Sequence, residues 1–308
     1  MALLCQVRAL GVEAKDQDDI DGEIFLAGNG DQATLPIMSD LEAAATTAFS
    51  EYITSCSVIV TSSDPEFDHG SGVAVRYNGK HYLLTAAHVL RPLKNLHELR
   101  IIGRPPTPFK NVALRQLQGD IPGVNDGSFG FSESTRVDAV SRIFGEAEED
   151  IVAIEINRGQ ESLPYTIFHD LVQCNSDDLN PGSIASAFGF PGAIAQRVMH
   201  QVTQRQGVMA NSLHIDIEVK DISVAPEGLN SAVNFITDYT FEDAGCDPKG
   251  MSGCGIWSRP QRSTGLVWSP YTTRLLGIQS SFYPRSKLLV AVRIERVLTL
   301  LSQAQKPR

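Results

Sequence analysis

No apolar run in these 308 residues approaches the ~20 needed to cross a bilayer as a helix, so no membrane span is expected. The excess of positive charge that marks nucleic-acid binders is also missing. Lys plus Arg total 26 against 36 Asp plus Glu, for a net charge of −10, which argues against a nucleic-acid partner and against attraction to anionic lipid. Cysteine is scarce. The five thiols (Cys5, Cys56, Cys174, Cys246 and Cys254) are odd in number and widely spaced, which does not make a disulfide framework. No close cysteine pair stands near a histidine pair, so no zinc site and no other metal or cofactor is expected. A secretory leader is not visible either, because Arg8 interrupts the short apolar start and acids follow. Reduced thiols and no leader together predict a cytoplasmic protein. No internal repeat shows at the level of sequence.

What remains is an ordinary globular composition, long enough for a large core. Residues 1 to about 50 stand apart as an N-terminal extension, with an acidic stretch at Asp16–Asp21. Ser39, with Glu42 three residues later, predicts a helix start, and the helix runs to about Tyr52. Short β signals then dominate. Cys56–Val60 reads as a strand. The runs Gly72–Tyr77 and His81–Leu84 flank Asn78-Gly79, the strongest short hairpin signal. Residues 104 to 135, rich in Pro, Gly and Ser, read as long loops, and Asn157–Pro181 as a connector. Further strands are expected at Ile151–Ile156, Ser183–Phe190, Val198–Val208, Leu213–Val219, Ala232–Thr237, Gly253–Ser258, Leu275–Ser281 and Leu288–Val292. Apolar residues at helical spacing from Val292 to Leu301 predict a terminal amphipathic helix. The sum is an all-β architecture.

Three segments carry chemistry. Thr85-Ala86-Ala87-His88 places a histidine directly after a strand. Glu149-Asp150 opens the apolar run Ile151–Ile156. Gly250-Met251-Ser252-Gly253-Cys254-Gly255 sets a serine among glycines. Each alone has a structural explanation: a core histidine, a strand-capping acid, a glycine-rich turn. Together they form a working set. A serine hydroxyl needs a base to take its proton, histidine titrates near neutrality, and a carboxylate fixes the imidazole tautomer. Glu149 competes with Asp150 for the acid's place if the register slips by one. Gly250 lets its backbone N–H turn beside that of Ser252, as an oxyanion hole requires. His69 and His81, which flank the hairpin, are expected to be structural or solvent-exposed.

In this order, His then Asp then Ser, the segments resemble those of the trypsin/chymotrypsin-like serine peptidases, over roughly residues 53 to 304. The resemblance implies two six-stranded antiparallel β-barrels with a C-terminal helix. The peptidase domain would be 51–304, with barrel 1 at about 51–165, barrel 2 at about 180–290 and the helix at about 292–304. It implies a serine endopeptidase working through an acyl-enzyme. His88 would be the general base, Asp150 the orienting acid, Ser252 the nucleophile, and Gly250 and Ser252 the oxyanion hole. The substrate would be a protein or peptide. A protease fold that binds peptides without cutting them, and an esterase with the same triad, are the alternatives.

The sequence departs from the family pattern in two places. Met251 stands where the family's secreted zymogens carry the acid that pairs with a newly cut N-terminus. Zymogen cleavage of that kind is therefore not expected, and the site is either formed constitutively or ordered by a protein partner or by the extension. Six residues before the serine, where cutters after Arg and Lys carry an acid, stands Cys246. A buried basic side chain would be unpaired there unless Asp243 or Asp247 reaches it, so a neutral or small residue before the scissile bond is expected. Gln279 and Ser280, in Leu276–Ser281, lie on the strand expected to pair with the substrate backbone.

Overall fold

The computed structural model describes residues 34–62, 69–93, 99–103, 128–130, 135–136, 140–157, 163, 166–171, 174, 179–192, 209–240, 244–259 and 272–305. The expected strand at Val198–Val208, most of the 104–135 loop region and Asp243 lie outside these residues. By its contacts the chain divides into two compact units, residues 1–42 and 43–308.

Helix α1 (Thr34–Cys56) leads into β1 (Ser57–Ser62). It starts before Ser39, so that serine lies in the second turn and is not the cap. It also takes in Cys56, expected to open a strand, because Phe49, Ile53 and Cys56 recur at helical spacing and are all buried. The helix thus passes through position 50, the expected end of the extension.

The first sheet holds β2 (Gly70–Tyr77), β3 (Lys80–Ala86), β4 (Leu99–Ile102), β7 (Val140–Glu146) and β8 (Ile151–Ile156) beside β1. These six run in the order β4-β1-β2-β3-β8-β7 with antiparallel neighbours. Two two-residue strands extend it: β6 (Thr135–Arg136) against β4, and β9 (His169–Asp170) parallel to β2. The turn of the β2–β3 hairpin is Asn78-Gly79, with φ of 47° and 75°. Positive φ at both centres matches the right-handed twist of the paired strands, and Asn and Gly adopt it most readily. All six residues of β8 are buried, Glu155 among them. Its carboxylate accepts from Lys80 Nζ (3.0 Å) and Arg142 Nη2 (2.8 Å). Burial alone would raise its pKa, but these bonds outweigh burial and hold the carboxyl below its usual value.

The second sheet closes on itself as a six-stranded barrel. It comprises β10 (Ile184–Gly189), β12 (Leu213–Lys220), β13 (Asn234–Asp238), β14 (Gly255–Ser258), β15 (Leu275–Tyr283) and β16 (Leu288–Arg293), all in antiparallel pairs. β5 (Ser128–Gly130) and β11 (Met209–Asn211) form a separate ribbon. β5, β6 and β9 fall in stretches read from sequence as loop or connector; two- and three-residue strands carry no periodicity to detect. Two further α-helices, and a 3-10 turn at Ile222–Val224, occur among the described residues. The α-helices are α2 (Ala87–Leu90), a single turn after β3, and the terminal α3 (Ile294–Ala304), whose Ile294, Val297, Leu300 and Leu301 are buried.

One buried cluster contains residues from both sheets and from both long helices: Phe49 and Ile53, Tyr82 and Ile151, Trp257 and Ile278, Val297 and Leu301. Burial of each such side chain contributes ~1.5–3 kcal/mol. Inside this cluster lies a polar chain. His169 Nδ1 meets Tyr52 Oη at 2.8 Å, its Nε2 meets Cys174 Sγ at 3.3 Å, and its ring stands edge-on to Trp257 with centroids 5.0 Å apart. Burial drives the imidazole down to about pKa 4, so it is neutral at pH 7.

Candidate active site

His88 sits in α2, the turn that follows β3, and Asp150 sits in the turn that precedes β8. These strands are paired, with Ala86 opposite Ile151, so the two turns emerge side by side. Asp150 is bound to the His88 turn at three points. Its backbone oxygen accepts from the Ala87 N–H (3.1 Å), Oδ1 accepts from the His88 N–H (2.9 Å), and Oδ2 meets His88 Nδ1 (2.7 Å). With Nδ1 donating to the carboxylate, Nε2 is the basic nitrogen, which is the tautomer a general base needs. Asp150 holds φ of 56°, a left-handed conformation that short polar Asp tolerates better than most residues. Glu149, the competing acid, points elsewhere: its carboxylate pairs with Arg296 of α3.

Ser252 lies in the turn between Pro248 and Cys254. Two glycines shape that turn, Gly250 with φ of 94° and Gly253 with φ of 90°. The Met251 N–H bonds to the Pro248 oxygen at 2.8 Å. Among the described residues the N–H groups of Gly250 and Ser252 have no acceptor, leaving two donors beside the serine.

The turn is fastened to the first sheet by residues that no sequence motif marks. The Ser71 N–H donates to the Ser252 oxygen (2.8 Å), and Ser71 Oγ donates to the Gly250 oxygen (2.9 Å) while accepting from the Phe190 N–H (2.9 Å). Thr85 Oγ1 donates to the Ser71 oxygen at 2.7 Å. Gly253 packs so closely that a Cβ there would collide with Ser71 O and Thr85 Oγ1. His69 Nε2 donates to the Phe190 oxygen at 3.0 Å, and lies against Gly250. His69 is therefore structural, as expected, though it sits beside the candidate oxyanion turn. His81 packs edge-on to Phe168. Gly70 lies between Val89, the neighbour of His88, and the Ser252 oxygen. The Ser252 turn thus lies against Thr85 and Ala86 and, across Gly70, Val89, beside the turn that carries His88, and no hydrogen bond joins Ser252 to His88 among the described residues.

The expected substrate-contacting residues flank this turn. Gln279 is buried, its N–H bonds to the Cys254 oxygen (2.9 Å), and its oxygen accepts from the Gly253 N–H (2.8 Å). Ser280 sits at a register shift between β15 and β16, with Oγ donating to the Val290 oxygen at 3.3 Å. Cys246 is half-buried, its oxygen accepts from Tyr239 Oη (2.8 Å), and burial raises its thiol. Cys254 is fully buried and its thiol is pushed up to about 12, which removes thiolate chemistry at neutral pH. No cluster of three or more metal-ligating side chains occurs among the described residues. No helix among them is long and apolar enough to cross a membrane.

The chain has the chymotrypsin-like fold. It is similar in structure to a protease paralogue of the scabies mite described as inactivated, at a TM-score of 0.53 and 15% identity, over 82% of this chain and 95% of that one. At that identity the likeness speaks to the fold alone. No protein-family model and no curated protein sequence matches the chain.

Proposed function

We propose that the protein is a serine endopeptidase. In this reading His88 Nε2 takes the proton of Ser252 Oγ as the hydroxyl attacks a peptide carbonyl. Asp150 holds the imidazole in the required tautomer and stabilises its charged form. The N–H groups of Gly250 and Ser252 receive the oxyanion, and the protonated His88 then gives its proton to the leaving amine. Water next attacks the acyl-enzyme with His88 again as base. The observation that carries the reading is the double grip of the Asp150 carboxylate on His88, through Nδ1 and through the backbone N–H. The protein acts in the cytoplasm on protein or peptide substrates, without metal or cofactor.

The missing acid at Met251 supports a site formed without zymogen cleavage. Met251 is fully buried, and the turn is held by Ser71 and by Gly192, whose N–H bonds to the Lys249 oxygen. Activity of the full chain with its N-terminus unprocessed tests this. A required cleavage overturns it.

One observation favours a second reading, a peptide-binding module without turnover. No hydrogen bond joins Ser252 to His88 among the described residues. Catalytic contacts often tighten only when substrate binds, so the endopeptidase reading stands first. Hydrolysis of a peptide library, compared with simple esters, separates peptidase, esterase and silent binder.

A further inference from the structure

The C-terminal half of α1 packs onto both sheets. Phe49, Ile53 and Cys56 are at most 1% exposed, in the cluster that also holds Tyr82 of β3 and Trp257 of β14. Two hydroxyls on the same stretch reach two histidines, one in each sheet. Tyr52 Oη meets Nδ1 of His169 in β9 at 2.8 Å, and Ser50 Oγ meets Nδ1 of His214 in β12 at 2.9 Å. β9 pairs with β2, and β12 with β10, so α1 straps the first sheet to the barrel. The strands it holds bear on the Ser252 turn. β2 carries Ser71, which fastens that turn, and β14, which follows it, sets Trp257 edge-on to His169 with centroids 5.0 Å apart.

Both histidines sit where a second ring proton is costly. His169 is 3% exposed, and its two nitrogens already serve Tyr52 and Cys174. A neutral ring accepts at one nitrogen and donates at the other, whereas the cation donates at both, so one of these bonds must invert or break. The groups facing the ring are neutral: burial pushes the Tyr52 phenol and the Cys56 thiol up, and the Cys174 thiol up to about 11. The Asp170 carboxylate beside it in β9 is engaged by Arg76 of β2 at 2.7 Å. Arg274 and Glu295 act on Cys174 with opposite signs. Around His214 stand Phe49 of α1 and Phe188 of β10. Asp216 of its own strand and Arg259 act on it in opposite directions and pair with each other at 2.9 Å. His214 Nε2 is buried with no hydrogen-bond partner among the described residues, so a proton placed there has no acceptor.

We infer that α1 is an acid-released strap: protonation of His169 and His214 frees Tyr52 and Ser50, the docked half of the helix leaves the two sheets while the barrel stays folded, and turnover at Ser252 falls reversibly. The loss of turnover rests on the endopeptidase reading; the release of the helix does not. With α1 docked, His169 titrates at about 4, and once exposed it titrates near 6.5, so the undocked form takes up the proton first as pH falls. From pH 7 to pH 5 this favours release about 20-fold through His169 alone. His214, lowered by burial as well, adds in the same direction.

The test follows backbone hydrogen exchange of the full chain by mass spectrometry at pH 7 and pH 5, corrected for intrinsic exchange. Fluorophosphonate labelling of Ser252 is read at the same two values. Wild type is expected to lose ~10-fold or more protection over Phe49–Cys56 at pH 5, with β15 and β16 unchanged, and to regain it at pH 7. In the double variant His169→Gln with His214→Gln, whose side chains stay neutral, that loss is expected to disappear. The labelling rate of the double variant relative to wild type is expected to rise at least ~2-fold from pH 7 to pH 5. His88 titrates in both proteins, so the ratio removes its contribution. Each single variant is expected to keep part of the pH effect, which preserves the test where the double variant does not fold. Protection that falls equally in wild type and variants, falls together with that of β15 and β16, or does not fall at all overturns the strap. Release of the helix with an unchanged labelling ratio overturns its control of Ser252. Wild type that takes no label at either pH overturns the endopeptidase reading, and exchange alone then decides whether the strap exists.

Discussion

Asp150 binds His88 twice with one carboxylate, at 2.7 Å through Nδ1 and at 2.9 Å through the backbone N–H. The second bond fixes the turn that carries the imidazole, and the first fixes the tautomer. Asp150→Asn keeps size and tolerates the left-handed φ of 56°, but its amide presents a donor where an acceptor is needed. We expect peptide hydrolysis to fall on the order of 10⁴-fold, mostly in kcat, with little change in thermal stability. Glu149→Gln, which breaks only the pair with Arg296, is expected to change kcat less than ~2-fold. Steady-state kinetics of the two variants distinguish the neighbouring acids; a larger loss in Glu149→Gln would reverse the assignment.

Ser71 links the two halves of the site. Its Oγ serves the Gly250 oxygen and the Phe190 N–H, and it is fully buried. Ser71→Ala leaves both backbone groups without that partner, at a cost of ~1–3 kcal/mol each where water cannot enter. Lower thermal stability and a slower acylation rate are expected together, since the same bonds hold the oxyanion turn. Unchanged kcat in a destabilised protein would show that the link serves the fold alone.

Gly253 combines a φ of 90° with direct contact to Ser71 and Thr85. Gly253→Ala faces backbone strain and a collision that the first sheet cannot yield to cheaply. Destabilisation on the order of 3 kcal/mol or more follows, read from chemical denaturation. Wild-type stability in this variant would mean that the turn is looser than its contacts indicate.

His169 makes stability depend on pH. Folded, its pKa is pushed down to about 4 by burial, while the unfolded chain titrates near 6.5. Between those values the unfolded state binds the proton first, so stability is complete above pH 6.5 and declines as pH falls toward 4. The loss is up to ~3 kcal/mol. His214, lowered by burial as well, adds in the same direction. Urea denaturation from pH 7 to pH 4 reads the slope, and His169→Gln is expected to flatten it. An equal slope in that variant would remove His169 as its source.

Features set by neighbours along the chain are legible in the amino-acid sequence. Asn78-Gly79 specifies its own turn, the apolar run at Ile151–Ile156 specifies β8, and the order of His88, Asp150 and Ser252 suggests both the fold and the candidate site. Features that depend on distant partners are not legible there. Ser71 and Gly250 are 179 positions apart, and nothing in Gly-Ser-Gly announces a clamp. Tyr239 and Phe282 meet only because β13 and β15 flank β16. The early start of α1 is masked because Ser39 and Glu42 offer a plausible cap inside a longer helix. Thr85 is the one clamp residue close to a motif, since it stands in the same short segment as His88.

The most direct measurement is labelling of the full-length protein by a fluorophosphonate, with Ser252→Ala and His88→Ala beside wild type. An assembled nucleophile predicts covalent labelling of wild type at Ser252 and none of either variant. Folded wild type that takes no label, or a Ser252→Ala protein that labels as well as wild type, would contradict it.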